Sequence, residues 1–105
     1  MPRTTLEIPL NGKDINTILH IIDSLMKANK YSKKILKDEE VWLKGDGIIM
    51  KRQCFSASFT TDKLILQGWM GDAITGESDL NGFVGGLPKR KMKALMDEIK
   101  LQILK

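Results

Sequence analysis

The sequence predicts an α+β domain in which two helices pack on one face of an antiparallel sheet of four to five strands. Two stretches, at about residues 15–29 and 88–104, repeat apolar side chains at the i, i+3, i+4, i+7 spacing of amphipathic helices. Between them, short runs alternate apolar and polar side chains and are separated by turn signals. A chain of 105 residues has the usual size of one domain, which we expect to span residues 1–105.

The first strand and the first helix are predicted close together. Residues 4–10 alternate apolar and polar side chains, and Pro9 restricts this strand to a sheet edge or to its own end. Residues 11–12, Asn-Gly, favour a turn, and Asp14 is a favourable N-cap for a helix at about 15–29. The predicted core face of this helix consists of Ile15, Ile18, Leu19, Ile22, Leu25 and Met26.

The middle of the chain predicts an antiparallel meander. Residues 31–40 are polar, which indicates a connection with one short extended piece, and residues 71–79 are interpreted as a loop. Turn signals separate the alternating runs. The predicted strands are residues 41–44, 48–59 and 63–70, followed by a last short strand or its remnant at 80–86.

The second helix is predicted to begin at Pro88, since proline at the first helical position removes no hydrogen bond. Its predicted core face consists of Met92, Leu95, Met96, Ile99 and Ile103. At about 100° per residue, Leu101 lies opposite this face and Leu104 lies well to one side of it. These two leucines indicate either an interface with another chain or a fraying helix end.

Residues 82–93, GFVGGLPKRKMK, admit two interpretations. In the first, Gly85 or Gly86 adopts a positive φ and reverses the chain before the helix. In the second, the start of the helix contacts an anion or a nucleic acid. The candidate contacts are Lys89, Arg90, Lys91 and Lys93. Basic side chains oppose the dipole at a helix N-terminus, which indicates a bound anion or an acidic neighbour. Neither a P-loop nor a dinucleotide-binding pattern occurs here, however, so we favour the first interpretation.

The formal net charge of +4 is confined to the end of the chain. Residues 1–87 contain 11 basic and 11 acidic side chains, whereas residues 88–105 contain 6 basic and 2 acidic ones. This distribution indicates a local basic patch rather than a generally basic surface. Nucleic acid is therefore a partner that we consider but do not favour.

Few side chains are suited to catalysis. Cys54 lies in the middle of a predicted strand, where a thiol usually packs as a small apolar group, and His20 lies opposite the core face of the first helix. One cysteine and one histidine do not make a four-ligand metal site. We predict no catalytic residues, no metal-binding residues and no cofactor, and hence a protein that is not an enzyme.

The chain shows no targeting or membrane-spanning signal. No apolar run approaches the roughly 20 residues that a membrane helix requires. The first residues lack the apolar stretch of a signal peptide, and a single cysteine is compatible with a reducing compartment. We expect a cytoplasmic protein without a membrane partner.

Residues 77–99 read ESDLNGFVGGLPKRKMKALMDEI and follow the run GDGIIMKRQCFSASFTTDKLILQGWM. Together they resemble a group of short uncharacterised bacterial domains that end with an acidic residue, a Leu-(Asp/Asn)-Gly-Phe turn and a Leu-Pro-Lys helix start. The resemblance covers about residues 40–105 and implies an α+β fold without a known activity. The order of elements is also similar to one half of a TATA-binding-protein-type fold and, more distantly, to helix-grip ligand binders.

These expectations combine into a binding or protein-interaction module without catalytic activity. We expect it to form a homodimer in which Leu101 and Leu104 lie at the interface. One alternative is a nucleic-acid-binding protein that uses the basic C-terminal helix. A second alternative is a binder of small apolar ligands.

Overall fold

A computed structural model describes residues 3–36, 38–45, 52–72, 76–78 and 86–105, with the main chain alone at residues 72, 76–78 and 86–88. In chain order the elements are β1 (Thr4–Pro9), α1 (Ile15–Ala28), β2 (Ser32–Leu36), β3 (Glu39–Lys44), β4 (Arg52–Phe59), β5 (Lys63–Asp72), β6 (Gly76–Ser78) and α2 (Gly86–Leu104).

The six strands in the described part of the chain form one sheet in the order β1-β5-β4-β3-β2, with β6 paired to β5. Every pairing between the described strands is antiparallel, as the sequence predicts. Because β4 occupies one edge of β5 along residues 64–71, β1 and β6 share the other edge, at residues 63–68 and 70–72. The short β2 forms the opposite edge of the sheet.

Both helices pack on the same face of the sheet, which confirms the predicted α+β architecture. We call this side the helix face and the opposite side the far face. One hydrophobic core joins the helices to the sheet. The helices contribute Ile18, Ile22, Met26, Met92, Leu95, Met96, Ile99 and Ile103, and the strands contribute Ile8, Trp42, Phe55, Leu64, Leu66 and Met70. All five predicted core residues of α2 are therefore buried, as expected.

Polar contacts close the helix ends. The Asp14 carboxylate accepts a hydrogen bond from the Thr17 main-chain N–H at 3.1 Å, so Asp14 is the N-cap of α1 as predicted. The ammonium group of Lys13 donates to the main-chain oxygens of Ile103 and, at 2.7 Å, of Lys105. A positive charge at the C-terminal end of α2 is stabilising, because the helix dipole is negative there. The contact also places the start of α1 beside the end of α2, so the helices are antiparallel.

Two residues of the predicted α1 core face are exposed instead. Ile15 is 44% exposed and Leu19 is 43% exposed. Ile15 lies in the first turn, against the loop at residues 9–13, and Leu19 points toward the β2 edge of the sheet. Two helices of about 10 Å width cover about four strands at a spacing of about 4.8 Å, so the helix face of a fifth strand is left without a covering helix.

The connections differ from the prediction in two places. The short extended piece that was expected within the connection at residues 31–40 is a full strand of the sheet, since residues 32–36 form β2 and pair along their whole length with β3. The first four residues of β2 are exposed and its two apolar residues, Ile35 and Leu36, are adjacent, so the strand lacks the alternation that a half-buried strand shows. Residues 76–78 form β6 inside the predicted loop at 71–79.

The start of α2 also differs, because Gly86 rather than Pro88 is its first residue. Residues 80–85 of the predicted last strand, with the Gly85 conformation, lie outside the described residues, and Gly86 of that stretch belongs to α2. The predicted turn at residues 11–12 is confirmed, since Asn11 and Gly12 have positive φ values of 52° and 76°. Neither of the two described helices has an apolar stretch long enough to cross a membrane.

Candidate binding surfaces

The four candidate anion contacts at the start of α2 do not share one exposed surface. Lys89 is buried, with 7% of its surface exposed, whereas Arg90 and Lys91 are exposed. Lys93 forms an ion pair of 2.9 Å with Asp97, one helical turn further on. Lys89 precedes Met92 by three residues, which places it on the core-facing side of the helix and explains its burial.

The outer flank of α2 exposes two large apolar side chains. Leu101 is 56% exposed and Leu104 is 45% exposed, as the helical projection predicts. On the same projection, Leu104 lies on the opposite side of α2 from Leu95, which faces α1 across a cleft. The flank therefore points away from both the core and α1.

The far face of the sheet has a small buried cluster of its own, which consists of Val41, Cys54 and Trp69. The guanidinium of Arg3 lies 3.6 Å from the centre of the Trp69 ring, in cation–π geometry. It also donates to both carboxylate oxygens of Glu39, at 2.9 and 3.0 Å. Arg3 thus links the β1 edge to β3 across two intervening strands. Trp69 is only 4% exposed, so its ring face is not presented to a nucleic acid base.

The thiol and the imidazole that the sequence contains lie on opposite faces of the sheet. Cys54 is buried on the far face, while His20 lies on α1, above the helix face. A nucleophile and its base must be within hydrogen-bond reach, so these two do not form a catalytic dyad. The structure places Cys54 in packing contact with Trp69 and Val41.

A cleft opens between the end of α1, the middle of α2 and the neighbouring end of the sheet, with a volume of about 440 Å³. We call it the Tyr31 cleft. Tyr31 and Gln53 lie at its base, and each is only 6% exposed. The Tyr31 hydroxyl donates to the Gln53 side-chain oxygen at 3.2 Å. Lys44 of β3 and Lys91 of α2 line the cleft as well.

Sequence reasoning did not single out Gln53 or Tyr31. Gln53 shares its inward register with Phe55 and Ala57, and a polar residue in such a register is a signal that the sequence does contain. Tyr31 lies in a polar run, and its burial depends on Phe55, which is far away in the sequence. In the fold the centres of the two rings are 5.2 Å apart. No local pattern predicts that contact.

A second depression, the α1–β2 groove, has a volume of about 300 Å³ and lies between Leu19 and the uncovered strand β2. The Lys33 ammonium lies 5.0 Å from the centre of the Trp42 ring and 3.2 Å from a Glu40 carboxylate oxygen. The cation of this groove is therefore already paired with a carboxylate. Ile35 of the same strand is 73% exposed.

In the part of the chain that the structure describes, no three His, Cys, Asp or Glu side chains lie together in a position to hold a metal ion.

Comparisons of the chain with protein-family models, with curated proteins and with solved structures found no match.

Proposed function

We propose that the chain is a non-catalytic interaction module that associates with a second copy of itself through the outer flank of α2. The observation that carries this proposal is the exposure of Leu101 and Leu104 on a helix whose inward side is already fully packed. Exposed apolar side chains that lie together on one element are a common feature of protein interfaces.

The flank is suited to a symmetric pairing. In a twofold dimer each surface contacts its own copy, so two α2 helices that cross antiparallel at Leu101 bring Asp97 of each copy opposite Lys105 of the other. Leu101 of one copy then meets Leu101 of the other at the centre, and opposite charges lie on either side of this contact. An apolar centre with a charged rim around it is the usual arrangement of a protein interface.

The size of the flank sets the expected affinity. Two leucines and their neighbours cover far less than the roughly 800 Å² per partner of a standard stable interface. We therefore expect a weak dimer, with a dissociation constant in the range of about 10 μM to about 1 mM.

Analytical ultracentrifugation across that concentration range tests the proposal. The average mass of the native chain should rise from 11.9 kDa toward twice that value. The double variant Leu101→Glu/Leu104→Glu should remain a monomer, because its added carboxylates repel each other across the twofold axis. A matched double variant, Ile15→Glu/Ile35→Glu, changes two other exposed apolar side chains and should dimerise like the native chain.

Two results contradict the proposal. One is a native chain that stays monomeric throughout the range. The other is a dimer that persists in Leu101→Glu/Leu104→Glu, whether or not it is lost in Ile15→Glu/Ile35→Glu. Circular dichroism of each variant establishes that its fold is retained.

A further inference from the structure

We propose that the Tyr31 cleft binds a small molecule that carries one anionic head group, a carboxylate or a phosphate, on a short apolar body. The proposal is independent of dimerisation, because the cleft lies on the α1 side of α2 and the flank does not. Three properties of the cleft support it: its cations, the polar side chains at its base and its apolar wall.

Two lysines line the cleft from different elements, Lys44 on β3 and Lys91 on α2. Within the described residues neither forms an ion pair, whereas Lys33 and Lys93 elsewhere are each paired with a carboxylate. The acidic residue at the cleft is Glu98, whose carboxylate accepts a hydrogen bond from Gln102 at 3.0 Å. Two cations against one anion attract a negatively charged ligand.

The base of the cleft presents a hydrogen-bond donor. The Gln53 side-chain oxygen accepts from the Tyr31 hydroxyl, and its amide nitrogen has no hydrogen-bond partner in the described part of the chain. No buried side-chain nitrogen or oxygen among those residues lacks a partner. The Gln53 nitrogen is therefore not fully enclosed, and because Gln53 lines the cleft it is placed to donate to an anionic oxygen bound there.

The walls of the cleft provide the apolar contact. Leu25 of α1 lies on one side, and Ala94 and Leu95 of α2 lie on the other. The volume of about 440 Å³ falls within the roughly 300–1,000 Å³ of small-molecule sites. Apolar walls with a few placed polar groups are typical of sites for amphipathic ligands. The α1–β2 groove does not offer the same chemistry, since Lys33 there is already paired with Glu40.

Calorimetric titration with four six-carbon probes at one ionic strength tests the head group. Hexanoate and hexyl phosphate should bind, and 1-hexanol and hexylamine should bind at least about tenfold more weakly, because they lack the negative charge. The ratio of the two anion affinities identifies the preferred head group. The proposal is overturned if neither anion binds more tightly than 1-hexanol.

Variants and mapping test the location. Lys44→Gln and Lys91→Gln should each weaken anion binding by about fivefold or more, whereas Lys34→Gln, an exposed lysine on β2, should leave it unchanged. Amide chemical shifts of the native chain should change at residues lining the cleft, such as Leu25 and Leu95. Equal effects of all three lysine variants, or shift changes confined to another surface, would refute the assignment.

Discussion

At the scale of single residues, Tyr31 shows how strongly the surroundings change a side chain. It lies in a polar stretch of sequence, yet its ring packs edge-on against Phe55 at an interplanar angle of 68°. Its hydroxyl donates a hydrogen bond to the Gln53 side chain. Burial raises the pKa of the Tyr31 hydroxyl above its usual value, and the electrostatic effect of Cys54 raises it further. The neutral form is therefore the one that the folded state favours.

This pKa shift predicts a loss of stability at alkaline pH. Below about pH 10 the hydroxyl is neutral in both states, and above that pH the unfolded chain ionises while the folded chain does not. The free energy of unfolding should therefore fall as the pH rises above about 10, and the fall should be smaller in Tyr31→Phe. Urea denaturation between about pH 8 and pH 11.5 measures both curves.

Lys63 also titrates at alkaline pH, but it affects the native chain and Tyr31→Phe equally. Its hydrogen bond to Glu7 at 2.9 Å raises the pKa of the exposed ammonium, so its contribution also disappears at alkaline pH. That contribution is present in both proteins and cancels in the difference between their free energies of unfolding.

At neutral pH, Tyr31→Phe should lower the free energy of unfolding by about 1 kcal/mol through the lost hydrogen bond. Parallel curves for the two proteins would show that Tyr31 does not titrate in this way.

At the scale of elements, the two helices depend on different kinds of contact. The start of α1 is capped by a residue nearby in the sequence, since the Asp14 side chain accepts a hydrogen bond from the Thr17 main-chain N–H three residues later. The end of α2 is closed by Lys13, about 90 residues earlier in the chain. The first contact can be recognised from the sequence because its partners are close together, and the second requires the antiparallel packing of the helices.

The local cap predicts the effect of a single substitution. Asp14→Ala should lower the free energy of unfolding by about 1 kcal/mol, because the Thr17 N–H then lacks its side-chain acceptor. Asn16→Ala, a change of an exposed residue in the first turn of the same helix, should have a smaller effect. Equal losses in the two variants, measured by urea denaturation, would argue against the capping role.

At the scale of the whole molecule, the charge of the sequence and the charge of the surface differ. The formal excess lies in residues 88–105, but Lys89 is buried and Lys93 is paired with Asp97. On the far face, Arg3 lies against Trp69 rather than leaving the ring exposed. Neither an exposed aromatic platform nor a continuous basic patch is therefore available in the described residues for a nucleic acid strand.

This distribution predicts weak binding to nucleic acids. A labelled 20-nucleotide strand should bind at about 0.15 M salt no more tightly than the roughly 10⁻⁴ M of non-specific complexes, as measured by fluorescence anisotropy. Micromolar binding that falls steeply with salt, and that is lost in Arg90→Gln/Lys91→Gln, would instead support the nucleic-acid alternative. The same variant with unchanged binding would place the contact on another surface.

The sequence by itself determines the features that depend on neighbours within a few residues. The buried stripe of α2, the Asp14 cap and the turn at residues 11–12 follow from spacing and from residue type. Alternation in β4 and β5 also predicts the antiparallel sheet, because one face of each strand lies in the core that the helices cover. The local rules and the packed structure agree at these positions.

Only the tertiary structure decides which surfaces are covered. The exposure of Leu19, the burial of Lys89 and the strand at 32–36 depend on how many strands two helices can cover and on where β2 pairs. The Tyr31 cleft likewise joins residues from α1, the sheet and α2 that no sequence spacing relates. Periodicity identifies the apolar side of an element, whereas the element that covers that side is chosen by contacts between distant parts of the chain.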